Sequence, residues 1–164
     1  MRSAIAALLI NMSMVAYVWA APIDQAKRIH DRIAGVPPDQ NSTLLEDMRL
    51  EIVGGDPMAA ALMATQSASF YNVTLRNFAA PWTNRDQSIF VPLDDYIATV
   101  IGVVRDDVDF REILSSDLLY VGSGGGVPGY SPNSNAHYEA LEEQGTDLQA
   151  CLLYTSPSPR DRNV

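Results

Sequence analysis

The segment from Trp82 to Asp86 holds the mixture of side chains that recognition sites favour. Trp82 supplies a large aromatic surface, Asn84 an amide, and Arg85 and Asp86 opposite charges. Loops commonly carry binding residues, and tryptophan and arginine often dominate the binding energy of interfaces. We therefore take Trp82, Asn84, Arg85 and Asp86 as the candidate recognition loop. A structural alternative stays open, in which Trp82 plugs the end of a helix bundle and Arg85 pairs with Asp86.

Three nearby carboxylates, Asp106, Asp107 and Asp109, are the only candidates for a metal site. Carboxylate oxygens suit Ca²⁺, but the spacing, the glycine and the terminal glutamate of an EF-hand loop are missing here. Aspartates between helices more often cap a helix or lie in a solvated turn. The sequence therefore predicts no metal site, and the catalytic residues, if the chain has any, stay unknown.

The two histidines, His30 and His137, lie outside any metal or haem motif. The chain has no His-x₃-His, His-Glu-x-x-His or Cys-x-x-Cys-His run, so it encodes neither a zinc site nor a c-type haem site. We expect His30 to be an edge residue beside the apolar face of a helix. Glu139 follows His137 closely, so His137 can pair with a carboxylate.

A glycine-rich segment matches the dinucleotide-binding pattern by letters, as Gly124-x-Gly126-x-x-Gly129. That motif requires a helix directly after it, whose N-terminus faces the pyrophosphate. Pro128 and Pro132 interrupt such a helix. The sequence therefore predicts a flexible loop and no bound cofactor.

Hydrophobic periodicity predicts the helices that must position these residues. They cover residues 23–34, 43–53, 57–78, 93–104, 110–116 and 134–144, and a short extended stretch covers 118–121. Gly35 suits the left-handed end of a helix, and Asp56-Pro57 suits a helix start. The clearest apolar stripe is Leu93, Ile97, Val100, Ile101 and Val104. The predicted fold class is all-α, or nearly so: an irregular array of five or six helices with two long loops, at 81–92 and 122–135.

Residues 1–20 have the layout of a signal peptide. A basic Arg2 precedes a mostly apolar stretch, and Val18-Trp19-Ala20 offers small residues at the cleavage spacing. The apolar stretch is shorter than the roughly 20 residues that a membrane-spanning helix needs. We expect export to the periplasm or the extracellular space, with no membrane span after cleavage.

Residues 151–164 differ in character from the preceding chain. Pro157 and Pro159 prevent continuous regular structure, and the run resembles a translated sequencing adapter at the broken end of a metagenomic gene. We interpret residues 151–164 as a non-native or disordered tail. Residues 21–150 are then a helical domain, the incomplete N-terminal part of a longer protein. A disordered natural terminus is the alternative.

The net charge of −9 is unevenly distributed. Residues 86–150 hold 12 Asp and Glu but only 2 Lys and Arg. Such a field repels nucleic-acid phosphates and anionic lipid headgroups. The expected partner is therefore a cation or a basic part of the missing C-terminal region, and not nucleic acid. Simple solubility is the alternative explanation of the charge.

Two segments resemble a known family. Residues 28–38, Arg-Ile-His-Asp-Arg-Ile-Ala-Gly-Val-Pro-Pro, are similar to an Arg-x-Leu-x-Gly-x-Pro-Pro opening, and residues 109–121 are similar to a Pro-Phe-Arg-Glu-Leu-Leu-Thr-Ala-Asp-Tyr segment. The opening and the segment that they resemble occur in exported bacterial domains of unknown function, which accompany planctomycete-type cytochrome c modules. Asp109 stands where that family often has proline. The resemblance implies haem c in the missing C-terminal region, with none bound by this fragment.

Three functional hypotheses follow. The leading one is a helical scaffold or docking module of an exported cytochrome-associated bacterial protein. The second is part of an enzyme whose site is completed by the missing C-terminal region. The third is an extracellular module that binds a cation or a glycan.

Overall fold

The computed structural model describes residues 21–39 and 41–155. The predicted signal peptide and residues 156–164 of the predicted tail lie outside the described residues. The described part of the chain holds seven α-helices and one two-stranded antiparallel sheet. The predicted, mostly helical class is therefore confirmed, with seven helices in place of five or six. None of the described helices is long and apolar enough to span a membrane.

The elements follow one another in this order. The α-helices are α1 (Pro22–Ala34), α2 (Leu44–Val53), α3 (Pro57–Thr65), α4 (Arg76–Ala79), α5 (Asp95–Arg105), α6 (Ala136–Glu143) and α7 (Leu148–Cys151). A π-helix covers Phe70–Leu75, and 3₁₀-helices cover Ala80–Trp82 and Phe110–Leu114. Strands β1 (Leu119–Gly122) and β2 (Leu152–Thr155) pair so that Leu119 faces Thr155 and Gly122 faces Leu152.

Helices α1, α2 and α3 enclose a small apolar cluster of their own. Gly35 ends α1 with φ of 75°, and the Asp56 carboxylate accepts a hydrogen bond of 2.9 Å from Ala59 N at the start of α3. Both predicted boundary signals are confirmed. The cluster centres on Ala26, Met48, Ala60 and Ala64. Thr74 Oγ1 donates a 2.8 Å hydrogen bond to Ile33 O, which ties α1 to the π-helix.

The third predicted helix is divided into several pieces. The sequence predicts one helix over residues 57–78, whereas α3 ends at Thr65 and the π-helix begins only at Phe70. Ser67 and Ser69 lie between them, with their hydroxyls 2.7 Å apart. Ala60 and Ala64 pack in the small cluster, but Tyr71 and the residues after it pack in the main core. Because of this break, α3 packs in the small cluster while the π-helix packs in the main core.

Helix α5 lies at the centre of the main core. Leu93, Ile97 and Ile101 of the predicted stripe are fully buried, but Val104 is 41% exposed and Val103 takes its place at 1%. The prediction for Val104 is therefore wrong. Neighbours cover α5 on several sides, including β1 and α7. The buried surface consequently extends beyond a single helical stripe.

Other differences concern the second half of the chain. The predicted helix over 110–116 is the shorter 3₁₀-helix Phe110–Leu114, which the Asp109 carboxylate caps at Arg111 N. The predicted extended stretch is confirmed as β1, and the predicted last helix is confirmed as α6.

The described structure continues beyond residue 150. Residues 151–155 are ordered parts of the fold, because Cys151 ends α7 and β2 then pairs with β1. Leu152 is fully buried in the main core, and its carbonyl accepts a hydrogen bond from Arg105. Residues 151–155 therefore pack on the described fold, and the assignment of residues 151–164 to a tail stays a prediction.

Candidate recognition surface

Asn84 holds the predicted recognition loop in shape. Its Nδ2 donates hydrogen bonds of 2.9 Å to both Ala80 O and Ser88 O, and its Oδ1 accepts one of 2.9 Å from Ser88 N. The amide is thus used within the chain. Asn84 positions the loop and has little capacity left to bind a partner.

Arg76 fixes the next part of the same loop. Its guanidinium donates hydrogen bonds to Ile89 O and Val91 O, the carbonyls on either side of Phe90. Glu142 pairs with Arg76 at 2.7 Å and accepts a 2.9 Å hydrogen bond from Leu93 N through its second oxygen. Glu142 lies on α6 and Arg76 on α4. Their ion pair and hydrogen bonds therefore connect distant parts of the chain to the loop.

Three aromatic rings in and beside this hydrogen-bonded loop are exposed to solvent. Phe78 is 62% exposed, Trp82 71% and Phe90 90%. The ring centroids of Phe78 and Trp82 are 6.5 Å apart. Phe90 lies on the loop that Arg76 holds against α4, the helix that carries Phe78. We call Phe78, Trp82 and Phe90 the aromatic surface.

The two charged residues of the loop are free of each other. Arg85 and Asp86 are both exposed, and within residues 21–39 and 41–155 no ion pair joins them. Arg85 lines an open groove of about 650 Å³ together with Trp82. The structural alternative is therefore wrong on both points, because Trp82 is not a buried plug and Arg85 does not pair with Asp86.

Sequence reasoning missed two members of the aromatic surface. The sequence places Phe78 at the end of a long predicted helix and Phe90 within a predicted loop. An aromatic residue in a loop that ends at Pro92 is a signal that identifies Phe90. Nothing local identifies Phe78, because its exposure depends on the break in the predicted helix.

The three aspartates do not come together as a metal site. Asp106 pairs with Arg105 at 2.7 Å, and Asp109 caps a 3₁₀-helix and pairs with Arg111. Asp107 has a φ of 53°, in the left-handed region of a tight turn. Among the described residues no group of three or more acidic, histidine or cysteine side chains is arranged to hold a metal ion.

Asp106 instead belongs to a network at the end of α5. It accepts a 2.9 Å hydrogen bond from the hydroxyl of Tyr120, and the guanidinium of Arg105 lies 5.8 Å from the centroid of that ring. The hydrogen bond from Arg105 lowers the pKa of Asp106. Burial, with the hydrogen bond to Asp106, raises the pKa of Tyr120 to about 12.

This network predicts a loss of stability at alkaline pH. A folded-state pKa of about 12 for Tyr120 exceeds the ordinary tyrosine value of about 10. Tyrosine is neutral when protonated, so the folded state holds this proton more tightly than the unfolded state. The contribution is fully present below about pH 10 and is lost as the pH rises towards 12. Urea unfolding across this range should show a decline that Tyr120→Phe makes shallower.

The absorbance of tyrosinate offers a second measurement for the same residue. Burial also raises the pKa of Tyr138, so titration of the native protein should show more than one late-ionising tyrosine, and Tyr120→Phe should lose one of them. An unchanged titration curve in the variant would contradict the assignment to Tyr120.

Both histidines serve the fold. His137 Nε2 accepts a 3.0 Å hydrogen bond from Gly122 N, and its Nδ1 lies 2.7 Å from Pro128 O. Among the described residues His137 therefore bonds to the backbone and not to a carboxylate, and it holds the glycine-rich loop. His30 is only 2% exposed, so the expectation of an edge residue is wrong. Its Nδ1 lies 3.1 Å from Val36 O, because the chain after α1 turns back over the ring.

The glycine-rich loop lacks the geometry of a dinucleotide site. Helix α6 begins at Ala136, well after Gly129, and Ser131 and Ser134 form a bridge in between. No helix N-terminus therefore follows the Gly124–Gly129 motif directly.

Comparison of the chain with known protein families, curated proteins and solved structures finds no match.

Proposed function

We propose that this chain is a helical docking module, which binds another polypeptide through the aromatic surface. The observation that supports the proposal most directly is the exposure of Trp82 and Phe90, at 71% and 90%. Burying a large aromatic side chain in an interface is strongly favourable, and aromatic residues are common hot spots. The Asn84 and Arg76 hydrogen bonds hold the loop before binding, which lowers the entropic cost of association.

The charge of the chain favours one kind of partner. Residues 86–150 carry 12 acidic and 2 basic side chains, so a basic surface is attracted to this part of the molecule. We propose a partner segment with an apolar centre and a basic rim. In its finer form, the proposal places the chain in an exported cytochrome-associated protein, and the remaining part of that protein supplies the segment. The resemblance of residues 28–38 and 109–121 supports this finer form.

The experiment begins with the continuation of the reading frame, recovered from genomic DNA by long-read sequencing. The downstream polypeptide is expressed separately and titrated calorimetrically with the present chain. Trp82→Ala and Phe90→Ala should each weaken binding by about tenfold or more, which corresponds to about 1.4 kcal/mol.

Phe110→Ala is the matched control. Phe110 is an aromatic residue of similar exposure, 74%, but lies on a different 3₁₀-helix. Its removal should change the affinity less than about twofold. Equal losses in all three variants, or no binding by the native chain, would refute docking through the aromatic surface. A downstream polypeptide without Cys-x-x-Cys-His would refute the cytochrome association alone.

The other hypotheses give different outcomes in related experiments. If the loop belongs to an enzyme site, Arg85→Ala and Asp86→Ala should abolish an activity of the intact protein and leave docking unchanged. If the module binds glycans, envelope oligosaccharides should produce heat that Trp82→Ala removes.

A further inference from the structure

A second concave site lies away from the aromatic surface, between α1 and the junction of α3 with the π-helix. It is a groove of about 400 Å³, and His30, Asp39 and Gln66 contribute polar side chains to its lining. This volume falls within the usual range of about 300–1,000 Å³ for small-molecule sites.

His30 brings a hydrogen-bond acceptor to the groove. A carbonyl only accepts hydrogen bonds, so the 3.1 Å contact with Val36 O places the proton of the neutral ring on Nδ1. Nε2 then carries a lone pair, and it has no hydrogen-bond partner among the described residues. The residue is 2% exposed and its ring lines the groove. Nε2 is not among the fully buried side-chain atoms without a partner, of which the described residues hold one, Asp31 Oδ1. A ligand in the groove can therefore donate a hydrogen bond to it.

The rest of the lining favours a cation with an apolar body. Pro37, Leu44 and Met63 supply apolar walls, and Asp39 supplies a negative charge. One oxygen of Asp39 accepts a 2.9 Å hydrogen bond from Asn41 N, which orients the carboxylate. Among the residues that the structure describes, no lysine or arginine lines the groove, so an anion finds no charge partner in this part of the lining.

The serine hydroxyls of the groove are already engaged. Ser67 and Ser69 bond to each other at 2.7 Å, and Ser42 accepts a 3.1 Å hydrogen bond from Leu44 N. Asp39 is the one charged side chain in the described lining, and both it and His30 Nε2 accept hydrogen bonds. We propose that the groove beside His30 binds a small organic cation, an alkylammonium group, whose N–H groups bond to His30 Nε2 and Asp39 while its alkyl part contacts the apolar walls.

The test uses NMR spectroscopy of the full chain with n-butylammonium as the probe. At about pH 8, where histidine side chains are ordinarily neutral, the probe should shift the ¹⁵N resonance of His30 Nε2 and the methyl resonance of Met63 saturably. Butyrate has the same alkyl body with a negative charge and should shift neither. Absence of a saturable shift with n-butylammonium, or equal shifts with butyrate, would overturn the proposal.

Variants locate the site. Gln66 is exposed at the groove, so Gln66→Trp should block it and abolish the shifts, whereas Ala68→Trp places the same bulk on an exposed position outside the lining. Asp39→Asn keeps the acceptor for Asn41 N but removes the charge. Asp39→Asn should weaken the binding of n-butylammonium about fivefold, as expected for a partly exposed ion pair. It should leave the binding of n-butanol unchanged. Undiminished binding by Gln66→Trp would overturn the proposal, as would an unchanged affinity in Asp39→Asn, provided that the amide spectra show folded variants.

Discussion

Replacing Leu152 by alanine is expected to lower the free energy of unfolding by about 2–5 kcal/mol. Leu152 is fully buried in the main core and belongs to β2, which pairs with β1. The substitution removes buried methyl groups and leaves a cavity beside α5. Urea or thermal unfolding of the native and variant chains measures the difference.

The next residue along the chain supplies the control. Leu153 has the same side chain but is 54% exposed, so Leu153→Ala should change stability by less than about 0.5 kcal/mol. Equal and small effects of the two substitutions would mean that residues 152–155 do not pack on the domain. The comparison therefore tests directly whether the fold extends beyond residue 150.

Gly102→Ala is expected to destabilise the protein by about 3 kcal/mol, at the upper end of the usual range for overpacking. A β-carbon on Gly102 would lie 2.2 Å from Cδ1 of Tyr120. Tyr120 is 1% exposed, and its hydroxyl is bonded to Asp106, so its ring has little room to move. The clash outweighs the gain of about 1 kcal/mol that alanine brings to a helix. Unfolding in urea measures the change.

Gly125→Ala is a suitable control, since nothing lies within 4 Å of a β-carbon built there. It should change stability by less than about 0.5 kcal/mol. A neutral or stabilising effect of Gly102→Ala would show that α5 does not pack its backbone against the Tyr120 ring.

The two proposed sites rest on different apolar clusters. The aromatic surface rests on the main core through Arg76 and Glu142, whereas the His30 groove is built mainly on the cluster of α1, α2 and α3. Trp82→Ala should therefore leave n-butylammonium binding unchanged, and Gln66→Trp should leave docking unchanged. Each proposal can fail without the other.

Local signals in the sequence predicted much of the helical framework. Gly35 ends α1, Asp56 and Pro57 start α3, and Asp94 caps α5 through Ile97 N at 2.8 Å. Each of these outcomes depends on the backbone within a few residues. Trp82 was also recognisable as a binding residue from its neighbours, although the role of Asn84 was not.

The features that sequence reasoning missed depend on contacts between distant residues. Arg76 and Glu142 are separated by 66 positions, and Arg105 and Leu152 by 47. The β2 strand is short and has no partner nearby in the sequence, so no local signal predicts it. Pro157, Pro159 and the resemblance to a translated adapter predict a tail in its place. His30 was placed at a helix edge because no local pattern shows that residues after α1 cover its ring.

The sequence by itself determined the helical class, the main helix boundaries and the acidic character of the chain, because propensity, capping and charge are properties of neighbouring residues. Only the tertiary structure decided which aromatic rings are exposed, that His30 is buried at a groove and that the fold includes residues 151–155. Burial is a property of the whole packed chain: a side chain is removed from water by residues that meet it only after folding.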